Sequence, residues 1–174
     1  MENYNEAYIL LEENITKLYQ EVTVKQKEQE LSANIVSNRC KWLEYINIMI
    51  IALTSVGVFM TIFNDIFVLK IISSALAIAA LVFTVFLKIF DLKSRTYRHK
   101  NTANDLLELK NAFHLVMMEI NLQMILQGSI EDLATLKDEY DALASHLSVV
   151  YMNAPAPCKK AVKNVAKVSN NEQN

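Results

Sequence analysis

Two long stretches of this chain carry no charge, and they stand close together. Residues 45–63 read YINIMIIALTSVGVFMTIF and residues 71–87 read IISSALAIAALVFTVFL. A hydrocarbon core about 30 Å thick is crossed by about 20 apolar helical residues, with about 17 as the short limit. Both stretches reach that length. Between them lies 64–70, NDIFVLK, where Asn64-Asp65 supplies the best turn chemistry. A helix that is apolar all round needs apolar matter on every side. The flanks are amphipathic and offer one stripe each, so they cannot wrap two such helices. The pattern predicts a first transmembrane helix at 45–63, an external hairpin at 64–70 and a second transmembrane helix at 71–87.

Lysine and arginine near the span ends set the orientation. Arg39 and Lys41 precede the first span, and Lys88, Lys93, Arg95, Arg98 and Lys100 follow the second. The hairpin holds Lys70 alone. Both termini are therefore expected in the cytoplasm. Lys70 and Lys88 bracket the second span, where their stems can lie along apolar surface while the ammonium groups reach the two interfaces. The interfacial anchors expected are Trp42, Lys70, Lys88, Lys93, Arg95, Arg98, His99 and Lys100. The N-terminus, MENYNEAYILLEEN, is acidic and lacks a basic n-region, so no cleaved signal peptide is expected.

The flanks read as helices. Only two glycines and two prolines occur in 174 residues, so helices should run long. Residues 1–44 form an N-terminal cytoplasmic helix with Tyr8, Leu11, Ile15, Leu18 and Val22 at heptad steps. The stripe turns polar at Lys25, Gln29 and Ser32, then resumes at Val36 and Leu43. That polar middle is poor glue for a two-stranded coil, and faces another helix or water. Residues 88–157 supply further cytoplasmic helices. Leu106, Leu109, Phe113, Val116 and Ile120 mark one, and Gly128 stops it. Ser129 with Asp132 offers a capping box for the next, which carries Leu133, Leu136, Tyr140, Leu143, Leu147 and Val150. Ala154-Pro155-Ala156-Pro157 breaks that helix. Residues 158–174 are expected as a short basic helix, with Lys159, Lys160, Lys163 and Lys167, and a disordered SNNEQN tail. The fold class is an all-α membrane protein, a two-helix transmembrane hairpin continuous with a cytoplasmic helical bundle.

Little here points to chemistry. The net charge of −2 gives no electrostatic case for nucleic acid. Cys40 and Cys158 have no partner at metal or redox spacing, and His99, His114 and His146 have no ligand set around them. Neighbouring acids such as Glu12-Glu13, Glu131-Asp132 and Asp138-Glu139 do not face one another on a helix. No enzyme, cofactor or metal is expected. Function, where it is readable, lies in the spans. Asn47, Thr54 and Thr61 recur every seven residues with Gly57 beside them, and Ser73, Ala77, Ala80 and Thr84 share a face of the second span. Such stripes pack membrane helices closely. They also serve to line a water-filled path, which a single hairpin cannot enclose, so that reading requires self-assembly.

Over its whole length the chain resembles the SLATT proteins, SMODS and SLOG-associating two-transmembrane effectors. Trp42 stands at the mouth of the first span, a tight hairpin follows, and Phe90-Asp91-Leu92-Lys93 leads to His99, Ala103, Leu106 or Leu107, Leu109 and Phe113. Tyr140, Ala154-Pro155, Ala161 and Ala166 complete the likeness. The resemblance implies a membrane effector of a bacterial anti-phage conflict system in the inner membrane. It implies a lipid bilayer and further copies of the chain as partners. It implies that a sensor or nucleotide second messenger triggers assembly or opening, and that the host cell dies before phage multiplies. The family offers no catalytic residues. No attached sensor or nucleotide-making domain is expected, and a separate sensor or nucleotide-synthase partner is expected instead. The competing expectation is a membrane-anchored helical scaffold that recruits a soluble partner without conducting ions.

Overall fold

A computed structural model of the chain describes residues 2–63, 67–126 and 129–172. They form five helices, with no strand among the described residues: α1 (Glu2–Phe63), α2 (Phe67–Phe90), α3 (Leu92–Leu126), α4 (Ile130–Asn153) and α5 (Lys159–Glu172). The chain is all-α, as its spacing predicts. The expected turn at Asn64-Asp65 and the expected stop at Gly128 lie outside the described residues.

The expected span limits are bilayer boundaries, which a helix can run through, and the tail is where a helix end differs from expectation. The division expected at 44/45 falls inside α1, which runs without a break through both segments. No proline occurs in that helix and its one glycine is Gly57, so nothing interrupts it. α2 begins at Phe67 and ends at Phe90, taking in both bracketing lysines. α5 continues to Glu172, into the stretch expected as a tail. Extending a formed helix fixes one residue per hydrogen bond, without the cost of a new nucleus.

Asp91 separates α2 from α3 with a positive φ of 33°. Aspartate is among the few residues that visit this left-handed region, because its short side chain bonds locally. Here its Oδ1 accepts from the Ser94 backbone N–H at 3.2 Å, and its carbonyl accepts from the Arg95 N–H at 3.3 Å. One residue thus ends α2 and caps α3.

α4 starts and stops as its residues dictate. Ser129 Oγ accepts from the Asp132 N–H, and the Asp132 carboxylate accepts from the Ser129 N–H at 2.8 Å, a complete capping box. At the other end Ala154 is extended, with φ −68° and ψ 132°. The Pro155 ring disfavours helical geometry at the residue before it.

The chain divides into two compact units. The helical unit comprises Met1–Ala33 and Tyr97–Asn174. Its core gathers Tyr8, Leu11, Ile15 and Val22 of α1, Leu106, Leu109, Phe113, Val116 and Ile120 of α3, and Leu136, Leu147 and Val150 of α4. Phe113, Ile15, Leu106, Leu109 and Ile120 are fully buried, each stabilising the fold by about 1.5–3 kcal/mol through area removed from water. The hairpin unit comprises Asn34–Thr96.

Candidate functional site

The hairpin unit pairs the second half of α1 with α2. Its outward surface is apolar: Ile48, Val56, Phe59, Ile78, Leu81 and Val82 are each about 60% exposed. Aqueous burial does not explain such a surface, but a lipid solvent does. Ser73 and Ala80, by contrast, are buried. They lie on the face of α2 that meets α1.

The two polar stripes come together in that seam. Thr84 Oγ1 donates to Asn47 Oδ1 at 3.1 Å and to the Ala80 carbonyl at 2.8 Å. A Cβ added to Gly57 would stand 3.3 Å from Ser73 Cβ, tighter than an ordinary contact. Glycine is therefore needed here for close approach rather than for a turn. Thr54 and Gly57 are half-buried, as are Thr61 and Ala77. Thr54 donates to the Ile50 carbonyl, Thr61 to the Val58 carbonyl and Ser73 to the Lys70 carbonyl. These hydroxyls are satisfied by their own helices, which is how lone hydroxyls persist in lipid. Asn47, Gly57, Ser73, Ala80 and Thr84 thus form one packing surface inside a single copy.

A notch of about 330 Å³ opens at the α2–α3 end of the seam, lined by Cys40, Glu44, Asn47, Thr84, Leu87, Lys88, Asp91, Leu92 and Lys93. Across it Lys93 Nζ meets Glu44 Oε1 at 2.6 Å. The hydrogen bond that Lys93 donates to that carboxylate, and then the carboxylate's charge, hold Lys93 above the ordinary lysine value. Glu44 is not singled out by sequence reasoning, and Asp91 enters it only within the Phe90-Asp91-Leu92-Lys93 stretch. The lysine-rich belt drew attention to its own charges, while the acid that answers them lies on another helix, 49 positions earlier.

Among the expected anchors, Trp42, Lys70, Lys88, Lys93, Arg95, Arg98 and Lys100 are exposed. His99 is a correction. It is 5% exposed and belongs to the interior of the helical unit. Gln29 Nε2 donates to the Pro155 carbonyl at 2.8 Å, which fixes the amide so that its oxygen faces His99. His99 Nδ1 stands 2.6 Å from that oxygen, so Nδ1 carries the proton and donates. Ser32 completes this polar layer, donating to the Glu28 carbonyl at 2.7 Å and accepting from the Cys158 N–H at 2.9 Å. The polar middle of α1 at Gln29 and Ser32 therefore faces helix α3 and the α4–α5 linker, not water. His99 differs in this from its charged, exposed neighbours Arg98 and Lys100. Helical geometry sends adjacent residues in different directions.

A model of the family described as SMODS and SLOG-associating 2TM effector domain family 4 matches residues 11–174. No curated protein and no solved structure matches the chain. A two-span family and two helices long and apolar enough to cross a bilayer agree that this is a membrane protein.

Proposed function

The chain belongs to the SMODS and SLOG-associating 2TM effector family, and from that premise we propose that it is the membrane effector of a bacterial anti-phage conflict system. It lies in the inner (plasma) membrane with both termini in the cytoplasm. A nucleotide signal or a separate sensor partner triggers it, copies assemble, and the membrane is permeabilised. The observation that carries this reading is the apolar hairpin, whose outward surface is made mostly of large apolar side chains and whose seam gathers Asn47, Gly57, Ser73 and Thr84. A wet path walled only by Ile, Val and Phe would empty of water. Conduction on this reading requires α1 and α2 to part or rotate, so that Asn47, Thr54, Ser73 and Thr84 meet a lumen shared by several copies.

A second reading, the membrane-anchored scaffold, is favoured by the same seam. Thr54, Thr61, Ser73 and Thr84 already bond to carbonyls of their own helices and need no water. The two readings separate on membrane potential. Cells expressing the chain are challenged with phage and followed with a potential-sensitive dye. Depolarisation that precedes death and depends on the chain supports the effector. Death or protection with the potential intact overturns the pore and favours the scaffold.

A further inference from the structure

The notch at the end of the seam lies wholly inside the hairpin unit. Two acids, Glu44 and Asp91, and two bases, Lys88 and Lys93, line it, so its formal charges cancel. Its volume of about 330 Å³ stands at the small end of the range for ligand pockets, about 300–1,000 Å³.

The polar groups of the notch are only partly used. Glu44 Oε1 accepts from Lys93, and Asp91 Oδ1 accepts from the Ser94 N–H. Each carboxylate keeps a second oxygen with no partner among the described residues. Asn47 spends its amide oxygen on the Thr84 hydroxyl, and its amide N–H groups have no partner among the described residues. Lys88 makes no ion pair or hydrogen bond among them either. The hairpin thus leaves both donors and acceptors over at one place.

These groups are ordered by depth. Asn47 stands inside the expected first span, 45–63, and Lys88 directly follows the second, 71–87. Glu44 precedes the first span and Asp91 lies beyond the second. From Asn47 to Glu44 is three residues, or about 4.5 Å along α1. Donors for an anion therefore lie nearer the hydrocarbon, and acceptors for a cation lie nearer the water. A phospholipid headgroup runs the same way, with its phosphodiester beneath and its substituent above.

We propose that the notch is a binding site for a phospholipid with a primary-ammonium headgroup, such as phosphatidylethanolamine. The phosphodiester meets Lys88 and the Asn47 amide, and the ammonium donates to the free oxygens of Glu44 and Asp91. Pockets between membrane helices bind lipid headgroups through such charges. An anionic headgroup would set its charge against Glu44 and Asp91, and a trimethylated ammonium offers those carboxylates no N–H. Ile48 and Val85, next in sequence to Asn47 and Thr84, are 60 and 48% exposed and give the acyl chains an apolar path. The site draws on both α1 and α2, so its occupant ties the two helices together at one end. The inference needs only insertion in a membrane, and it stands whether or not the chain conducts.

The test titrates the full chain in detergent with phosphatidylethanolamine, its N-methyl and N,N-dimethyl forms, phosphatidylcholine and phosphatidylglycerol, all with the same acyl chains. Native mass spectrometry counts the bound lipid. The primary-ammonium lipid should bind about tenfold tighter than phosphatidylcholine or phosphatidylglycerol, because one charge-assisted hydrogen bond is worth about a decade. Affinity should fall with each added methyl, a series that needs no variant. Lys88→Gln should weaken the primary-ammonium lipid about tenfold, while Lys100→Gln, which removes an equal charge outside the notch lining, should not. Glu44→Gln with Asp91→Asn should turn the preference toward phosphatidylglycerol, and asparagine keeps an oxygen for the Ser94 N–H. Equal binding of all these lipids would mean an unselective lipid shell and overturns the proposal. So does a preference of the native chain for phosphatidylglycerol, which would assign the bases to anionic lipid at large. Displacement by an equal concentration of soluble glycerophosphoethanolamine overturns it too, since the ligand would then be a soluble phosphoester and not a lipid.

Discussion

Thr84 of α2 donates to the side-chain oxygen of Asn47 on α1 at 3.1 Å, so the longest polar stripe of the first span points at its own partner helix. Interhelical hydrogen bonds in membranes are worth about 0.6 kcal/mol on average and about 1.7 at most. The bond is therefore a small bias toward this pairing of the two helices and weak enough to be exchanged.

That balance is measurable by locking the seam. Gly57→Cys with Ser73→Cys, in a chain without its native cysteines, places two Cβ atoms about as close as a disulfide requires. Oxidation should give a cross-linked monomer that runs faster on a non-reducing gel. If the seam parts during conduction, the oxidised protein should leave the membrane potential intact and a reductant should restore the leak. Full depolarisation by the oxidised form would show that conduction uses another surface.

Gln29→Leu should cost about 2–4 kcal/mol. It strands the His99 Nδ1–H and the Pro155 carbonyl, and each orphaned buried group is worth about 1–3 kcal/mol. Thermal unfolding of the detergent-solubilised chain reads the loss. Amide exchange should rise first at Cys158 and the start of α5, which this layer holds.

Tyr151→Phe should go the other way. The Tyr151 hydroxyl is buried with no partner in hydrogen-bonding geometry among the described residues, so removing it should stabilise by about 1 kcal/mol. The pH dependence carries the same signature. Burial first, and then the Glu21 carboxylate, hold this phenol well above its ordinary value of 10.0. The folded state thus keeps the proton after the unfolded state has lost it. Stability is unaffected below about pH 10 and falls as pH rises beyond it. The variant should lose that alkaline decline, followed by melting temperature against pH.

Ser129→Ala should destabilise the chain by about 1 kcal/mol through loss of an N-cap. The Ser129 backbone N–H, and then its hydroxyl, hold the Asp132 carboxyl below its ordinary value of 3.8. A lowered value in the fold means stability that is present above pH 3.8 and fades as pH falls below it. The acid limb of the melting curve should therefore be shallower in Ser129→Ala than in the native chain.

Much of the fold was legible because the informative residues act locally. The stripes at Tyr8, Leu11, Ile15 and Val22, and at Leu106, Leu109, Phe113, Val116 and Ile120, are the core. The same 3.6-residue geometry that spaces them also buries them. The Ser129–Asp132 cap needed only four consecutive residues. What escaped was either non-local or ambiguous. Glu44 with Lys93 and Gln29 with His99 join residues far apart in sequence, which no window contains. Asp91 ends one helix and begins another without glycine or proline, so no breaker announced it. The polar stripe of the spans was legible as a stripe, but its direction was not, since seven-residue spacing is the same whether the face meets a helix or a lumen.

The amide of Gln29 has a consequence for how the helices find their alignment. A stripe repeating every seven residues fits its neighbours nearly as well after sliding by seven. Such a slip would put Val22 or Val36 where Gln29 stands. Neither valine can donate to the Pro155 carbonyl or accept from His99, so the misaligned bundle would leave both groups stranded. A slip of one would bring up Glu28 or Glu30, whose carboxylate oxygens would face a carbonyl with nothing to share. Neither slip satisfies all three groups. The apolar stripe supplies adhesion without memory of position, and a single polar side chain supplies the memory.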